Sequence, residues 1–244
     1  MNAQPLLIAV ALLGAVTSHA ANRCEARSGA AAPAVVELYT SEGCSSCPPA
    51  EAWLNTLTGK PDVVALAFHV NYWDYIGWTD RFATPATTDR QRDLARAHGP
   101  NGVYTPQMVL GGADWRGWGG GTNVPTPRNA NAPSLQLTRD GDMLTAVVDA
   151  LPGAASLGGY WAVLEDGIET KVRAGENAGR TLRHDNVVRF YKPVPAWPAA
   201  QAQTLHVSLE PGTLKPAQRA VFVVTEGTKP VQAVALACTT APSQ

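Results

Sequence analysis

Two cysteines three residues apart, Cys44 and Cys47, stand between a strand-like run and a pair of prolines, and this junction constrains the fold more than any other stretch. Residues 35–39 (V-V-E-L-Y) are β-rich and end in a polar, Gly-containing segment, so the spacing predicts a strand and then a turn. Pro48 and Pro49 follow Cys47. Proline is accepted in the first turn of a helix, where the missing N–H would have no partner, and residues 50–57 read as helical. Gly59 and Pro61 end that helix. Residues 63–70 are an almost unbroken apolar run, as expected of a strand covered on both faces. The pieces make one β-α-β unit with a right-handed crossover.

In such a unit the helix starts at the carboxyl end of the first strand, which puts Cys44 at a helix N-terminus. Free N–H groups and the helix dipole there favour a thiolate, while Cys47 lies one turn inside. An exposed attacking sulfur beside a resolving one is what thiol–disulfide exchange requires. The second strand ends at His69 on the same edge. Thr105 and Pro106 arrive there too if residues 107–110 form an antiparallel strand. Cys44, Cys47, Thr105 and Pro106 are therefore the candidate catalytic residues, and His69, Tyr72, Trp73 and Asp74 could line a groove. The aromatic residues fit the core of an insertion equally well, and His69 fits a simple hydrogen-bonding role. Two other readings of the C-x-x-C are half of a zinc site and an inert local disulfide. No second C-x-x-C or H-x-x-x-H supplies the rest of a zinc site.

Further along, Thr84 and Pro85 are an N-cap and first helical position, with the helix running to His98 and Gly99. Residues 119–133, rich in Gly, Pro and Asn, read as a linker. Short strand-like runs then recur at 135–137, 144–148, 160–164, 187–191, 205–209, 221–224 and 231–236, separated by turn signals such as Asp166-Gly167. That spacing predicts a small β-sandwich over 134–240. The segment from Gly175 to Asn186, with Glu176, Arg180, Arg183 and His184, is either a polar connection of the sandwich or a surface facing the cleft.

Residues 1–20 read as a signal peptide, an apolar run from Leu6 to Val16 followed by Ser18-His19-Ala20. No later stretch of the sequence is long and apolar enough to span a bilayer. After export the chain would meet an oxidising compartment. There Cys24 and Cys238 would form a structural disulfide whose long loop contributes roughly 4–5 kcal/mol of chain entropy, or remain two unpaired thiols. A net charge of −1 without basic clustering points away from nucleic acid and from anionic membrane surfaces. Nothing calls for a cofactor or a resident metal.

Four segments carry a resemblance: E-L-Y-T-S-E-G-C-S-S-C-P-P-A around the cysteines, H-V-N-Y-W-D-Y-I-G-W from His69, Y-T-P-Q from Tyr104, and G-E-N-A-G-R-T-L-R-H-D-N-V-V from Gly175. Together they resemble a family of secreted bacterial proteins of unknown function within the thioredoxin-like superfamily, over most of the mature chain. The resemblance implies a thioredoxin-like fold for residues 33–118, with Pro106 as the cis-proline beside the dithiol, and it brings no substrate. One departure is the missing amphipathic pattern for a terminal helix after Trp118. The expectation is thus an α/β, thioredoxin-like N-terminal domain followed by a small all-β domain. Its function would be that of a periplasmic or secreted thiol–disulfide oxidoreductase acting on exported protein thiols or disulfides, or on an upstream redox partner. Its rivals are a copper(I)-binding protein using the two thiolates near His69, and a non-enzymatic scaffold in which the disulfide is only structural.

Overall fold

The computed structural model describes residues 23–238, apart from 30, 100, 101, 122, 126–130, 212, 213 and 216; the segment read as a signal peptide lies outside the described residues. Strands β1 (Arg23–Arg27) and β2 (Ala34–Thr40) are followed by helix α1 (Pro48–Asn55) and strand β3 (Val63–His69). A 3-10 turn, Asp74–Ile76, lies on the way to α2 (Pro85–His98), β4 (Gln107–Leu110) and β5 (Ala113–Asp114). The second half contains β6 (Leu135–Asp140), β7 (Met143–Val148), β8 (Ser156–Glu165), β9 (Ile168–Lys171) and β10 (Thr181–His184). It ends with β11 (Val187–Pro198), β12 (Gln203–Ser208), β13 (Arg219–Glu226) and β14 (Lys229–Ala237). Thr84 starts α2 with a reciprocal capping box, its hydroxyl accepting from Thr87 N–H at 3.1 Å while its own N–H donates to Thr87 Oγ1 at 3.0 Å.

These elements overturn the expected α/β thioredoxin-like domain followed by a separate all-β domain. The protein is mostly β, with two α-helices among the described residues, and strands from both halves share one eight-stranded sheet, ordered β14-β13-β8-β11-β3-β2-β4-β5. The seam is the β3 edge. Val187 of β11 pairs with Ala67 in parallel, and Ala67 N–H donates to Asn186 O at 2.8 Å. Periodicity identifies strands but carries no information about which sheet they join: of the seven runs read as a sandwich of their own, those at 160–164, 187–191, 221–224 and 231–236 extend the first sheet, and the other three join a second one.

Alternation along the strands explains what covers that sheet. Val36, Leu38, Ala65 and Ala67 face α1, packing on Ala50, Trp53, Leu54 and Leu57. Val35, Tyr39, Leu66 and Phe68 face the opposite side, toward Leu94 of α2, with Tyr160, Ala162, Val221 and Val223 continuing that face. On the α1 side, the second half of the sheet is covered by a four-stranded sheet, ordered β1-β6-β7-β12. Leu135, Leu137, Leu144 and Ala146 there meet Trp161, Val163, Phe222 and Val234. Cys24 on β1 is disulfide-bonded to Cys238 just after β14, across 214 residues of sequence. Coverage on both faces is why residues 63–70 lack polar alternation. Among the described residues, no helix is long and apolar enough to cross a membrane.

Candidate functional site

β2 runs parallel to β3 and antiparallel to β4, so the end of β2, the end of β3 and the start of β4 meet at one edge. Beyond Thr40 the chain makes two tight turns: Cys44 N–H donates to Ser41 O at 3.1 Å and Cys47 N–H to Cys44 O at 3.2 Å. Cys44 and Cys47 are disulfide-bonded, with their Cα atoms 5.4 Å apart. Cys47, not Cys44, is the N-cap of α1. Both sulfur-bearing residues are buried, while Ser45 and Ser46 between them are exposed.

The expected cradle of free N–H groups is missing from the first turn of α1. Pro48 and Pro49 have no N–H to offer, and Ala50 and Glu51 both spend theirs on Cys47 O, at 2.9 and 3.1 Å. A negative charge on Cys44 would instead rest on the Ser46 hydroxyl, 3.4 Å from its sulfur, and on the helix dipole.

Segments distant in sequence pack on this loop. The Thr105–Pro106 bond is cis, and the pairing of Gln107 with Tyr39 sets it beside the end of β2. Trp73 Nε1 donates to Thr105 Oγ1 at 2.7 Å. A Cβ on Gly43 would lie 3.1 Å from Trp73 Cβ and 3.3 Å from Ile76 Cδ1, so glycine permits this approach. From the other side, Asn177 Nδ2 donates to Glu42 O at 2.9 Å and Cys44 O at 3.0 Å, and Ser45 N–H donates to the Glu176 carboxylate at 3.0 Å. The polar segment from Gly175 onward therefore faces the cysteines. A groove of about 660 Å³ begins at Pro48 and Pro49 and runs between α1 and β10, with Arg180 and Arg183 on its far side.

The residues considered for a groove take different places. Trp73 braces Thr105. Tyr72 donates to Gln91 Oε1 at 3.1 Å, and burial pushes its phenol up to about 12 despite hydrogen bonds that pull the other way. Asp74 accepts from Asp80 N–H at 3.1 Å within its own loop; burial raises its carboxyl. His69 points inward and is fully buried.

Beneath the dithiol loop lies a buried polar cluster. His69 Nδ1 is 2.7 Å from Asp80 Oδ2. His184 Nδ1 is 2.5 Å from Glu51 Oε2, and its Nε2 is 3.2 Å from Glu42 Oε1. Thr40 donates to Glu51 Oε1 at 2.5 Å, Trp78 Nε1 to Glu42 Oε2 at 2.8 Å, and Glu42 N–H to Asp80 Oδ2 at 2.8 Å. Burial alone would lower both imidazoles, but the facing carboxylates win: His69 is raised by Asp80, and His184 to about 9 by Glu42 and Glu51. Burial likewise opposes ionisation of Glu51 and Asp80, yet His184 and His69 hold them below the usual carboxylate range.

Sequence reasoning passed over Glu42, Glu51 and Asp80, and met Asn177 and His184 only as members of the segment from Gly175 to Asn186. A usable signal existed for two of them. Glu51 lies four residues after Cys47, on the same helical face, and His184 follows Leu182 at the inward period of β10, whose burial alternates.

The comparisons with known proteins agree with this architecture. A solved crystal structure of a protein from Agrobacterium tumefaciens superposes with a TM-score of 0.64 at 29% identity, covering 88% of this chain and 98% of that one. HBP35 of Porphyromonas gingivalis superposes with a TM-score of 0.55 at 15% identity, covering 88% and 79%, a likeness of fold alone. No curated protein matches the sequence. Residues 35–225, from the first strand of the β-α-β unit to the end of β13, match the model of a family described as a protein of unknown function, DUF1223, and the chain belongs to that family.

Proposed function

We propose that the protein is an exported thiol–disulfide oxidoreductase working through Cys44 and Cys47. The observation that carries the reading is the Cys44–Cys47 disulfide at the end of β2, ringed by Thr105-Pro106, Trp73 and Glu176 from three other parts of the chain. An inert staple has no need of so many converging segments. The apolar run at residues 6–16 and the Cys24–Cys238 disulfide support an oxidising, extracytoplasmic location.

In the oxidising direction, a thiolate of the partner attacks one sulfur of the disulfide. This forms a mixed disulfide and releases the other cysteine as a thiolate. A second partner thiolate then attacks the mixed disulfide, leaving the partner oxidised by two electrons and Cys44 and Cys47 as a dithiol. The reducing direction is the reverse: the Cys44 thiolate opens a partner disulfide, and Cys47 resolves the adduct. The Ser46 hydroxyl favours Cys44 as the sulfur that carries charge. The groove along α1 offers a place for a partner chain, so the substrate class is an exported protein with thiols or a disulfide.

The test uses the Cys47→Ala variant, expressed with its export segment. It should accumulate mixed disulfides through Cys44 with exported proteins, cleaved by reductant and absent in the Cys44→Ala, Cys47→Ala double variant. Failure of any such adduct to form, together with a wild-type disulfide that stays closed in glutathione buffers until the protein unfolds, would refute the reading.

A further inference from the structure

We propose that Glu51, His69 and His184 form a buried site for a divalent transition-metal cation of the zinc class. One donor atom from each can be chosen so that all three lie within 4.8 Å of one another, and all three residues are buried. They come from α1, the end of β3 and the end of β10, so only the fold assembles them.

The first argument is the state of His69. Its Nδ1 is held by Asp80, whereas Nε2 has no hydrogen-bond partner among the described residues. An imidazole gripped by a carboxylate on one nitrogen and open on the other has the arrangement of a metal-bound histidine, with Asp80 as the group that orients it. The second argument is charge. Glu42, Glu51 and Asp80 are three buried carboxylates around two imidazoles. A divalent cation would take over the compensation that protonated imidazoles give those carboxylates, leaving the imidazoles as neutral ligands.

Donor chemistry then selects the ion. Two imidazole nitrogens and a carboxylate oxygen suit zinc and its neighbours; calcium and magnesium prefer oxygen alone, and copper(I) prefers sulfur. Glu42 Oε1, 3.2 Å from Nε2 of His184, stands on the far side of that ring from Glu51 and orients it as Asp80 orients His69. His184 and Glu51 now meet at 2.5 Å, and adjacent ligands of a tetrahedral zinc stand about 3.3 Å apart. Binding therefore replaces the proton they share and parts them by about an ångström. The sulfurs of Cys44 and Cys47 are not ligands here, so the site stands or falls independently of the exchange reading.

The test keeps the protein oxidised, strips it with a chelator, and titrates zinc, with cobalt(II) as a spectroscopic substitute. One equivalent should be retained, with cobalt d–d absorption and no thiolate charge-transfer band. Affinity should drop by at least about tenfold in Glu51→Gln and His69→Asn, and by about tenfold in Asp80→Asn. No retention by the wild type, unchanged retention in the ligand variants, or retention only after reduction of Cys44–Cys47 would overturn the site. Should circular dichroism show that the variants do not fold, anomalous scattering from zinc-soaked wild-type crystals decides. A peak among Glu51, His69 and His184 supports the site, and a peak elsewhere or none overturns it.

Discussion

The Arg90 guanidinium reaches from α2 to the middle of the sheet and grips both oxygens of Glu37, with Nε 3.2 Å from Oε2 and Nη2 2.5 Å from Oε1. Tyr39 and Tyr160 donate to the same carboxylate at 2.8 and 2.7 Å, and the guanidinium carbon lies 4.0 Å from the centroid of the Tyr160 ring. Breaking a buried pair from one side leaves an uncompensated charge. Arg90→Met should therefore cost about 3–5 kcal/mol in urea unfolding, and Glu37→Gln added to it should restore a large part. A loss under about 1 kcal/mol in the single variant would mean the pair is solvated in a way its burial does not imply.

Trp73 ties the aromatic segment to Thr105 and packs on Gly43. Trp73→Ala removes a hydrogen bond worth about 1 kcal/mol, so local opening around the dithiol should rise about fivefold. Reduction of Cys44–Cys47 by dithiothreitol, followed by quenched alkylation and mass spectrometry, should speed up by that factor. An unchanged rate would show that attack comes from another side.

Glu176 predicts a pH response. Hydrogen bonds from the Ser45 hydroxyl and N–H hold its carboxyl below the ordinary glutamate value. A depressed pKa means the contact is fully formed above the ordinary value and is lost as pH falls through the folded one. The Ser45 amide resonance should shift in that acid range and lose the step in Glu176→Gln. A step at or above the ordinary glutamate value contradicts the contact.

The Cys24–Cys238 disulfide closes a loop spanning 214 residues. Replacing both cysteines with serine should lower stability by up to about 5 kcal/mol while leaving exchange at Cys44–Cys47 unaffected. Unfolding in urea measures the first and a dithiol exchange assay the second. A variant with unaltered stability would show that β1 and β14 already hold each other without the bond.

The sequence made the local elements legible where one physical signal dominated. Thr84-Pro85 and Gly99 bracket α2 because capping is written in adjacent residues, and residues 63–70 announce a covered strand through composition alone. The architecture was not legible, because β11 reaches β3 through a single parallel pairing that leaves no trace in the alternation of either strand. The site divides the same way. Cys44 and Cys47 stand out by spacing, and Thr105-Pro106 by its place before a strand. Glu42 and Asp80 look like ordinary surface residues until the fold encloses them, and the periods that turn Glu51 and His184 inward name no partner for either. The cradle of N–H donors expected at Cys44 is ruled out by chemistry visible in the sequence itself. Two prolines in the first turn remove the donors it needed.

The shared sheet also dictates an order of events in time. β1 is the first described strand to be synthesised, yet its partner β6 lies more than a hundred residues later, and the β3 edge waits for Val187. Half of this chain therefore has an open edge until the other half exists, and the native contacts are dominated by partners remote in sequence. A contact pattern of this kind favours slow folding of both halves as one unit. The edge of β3 therefore stays open to wrong pairing until β11 reaches it at Val187.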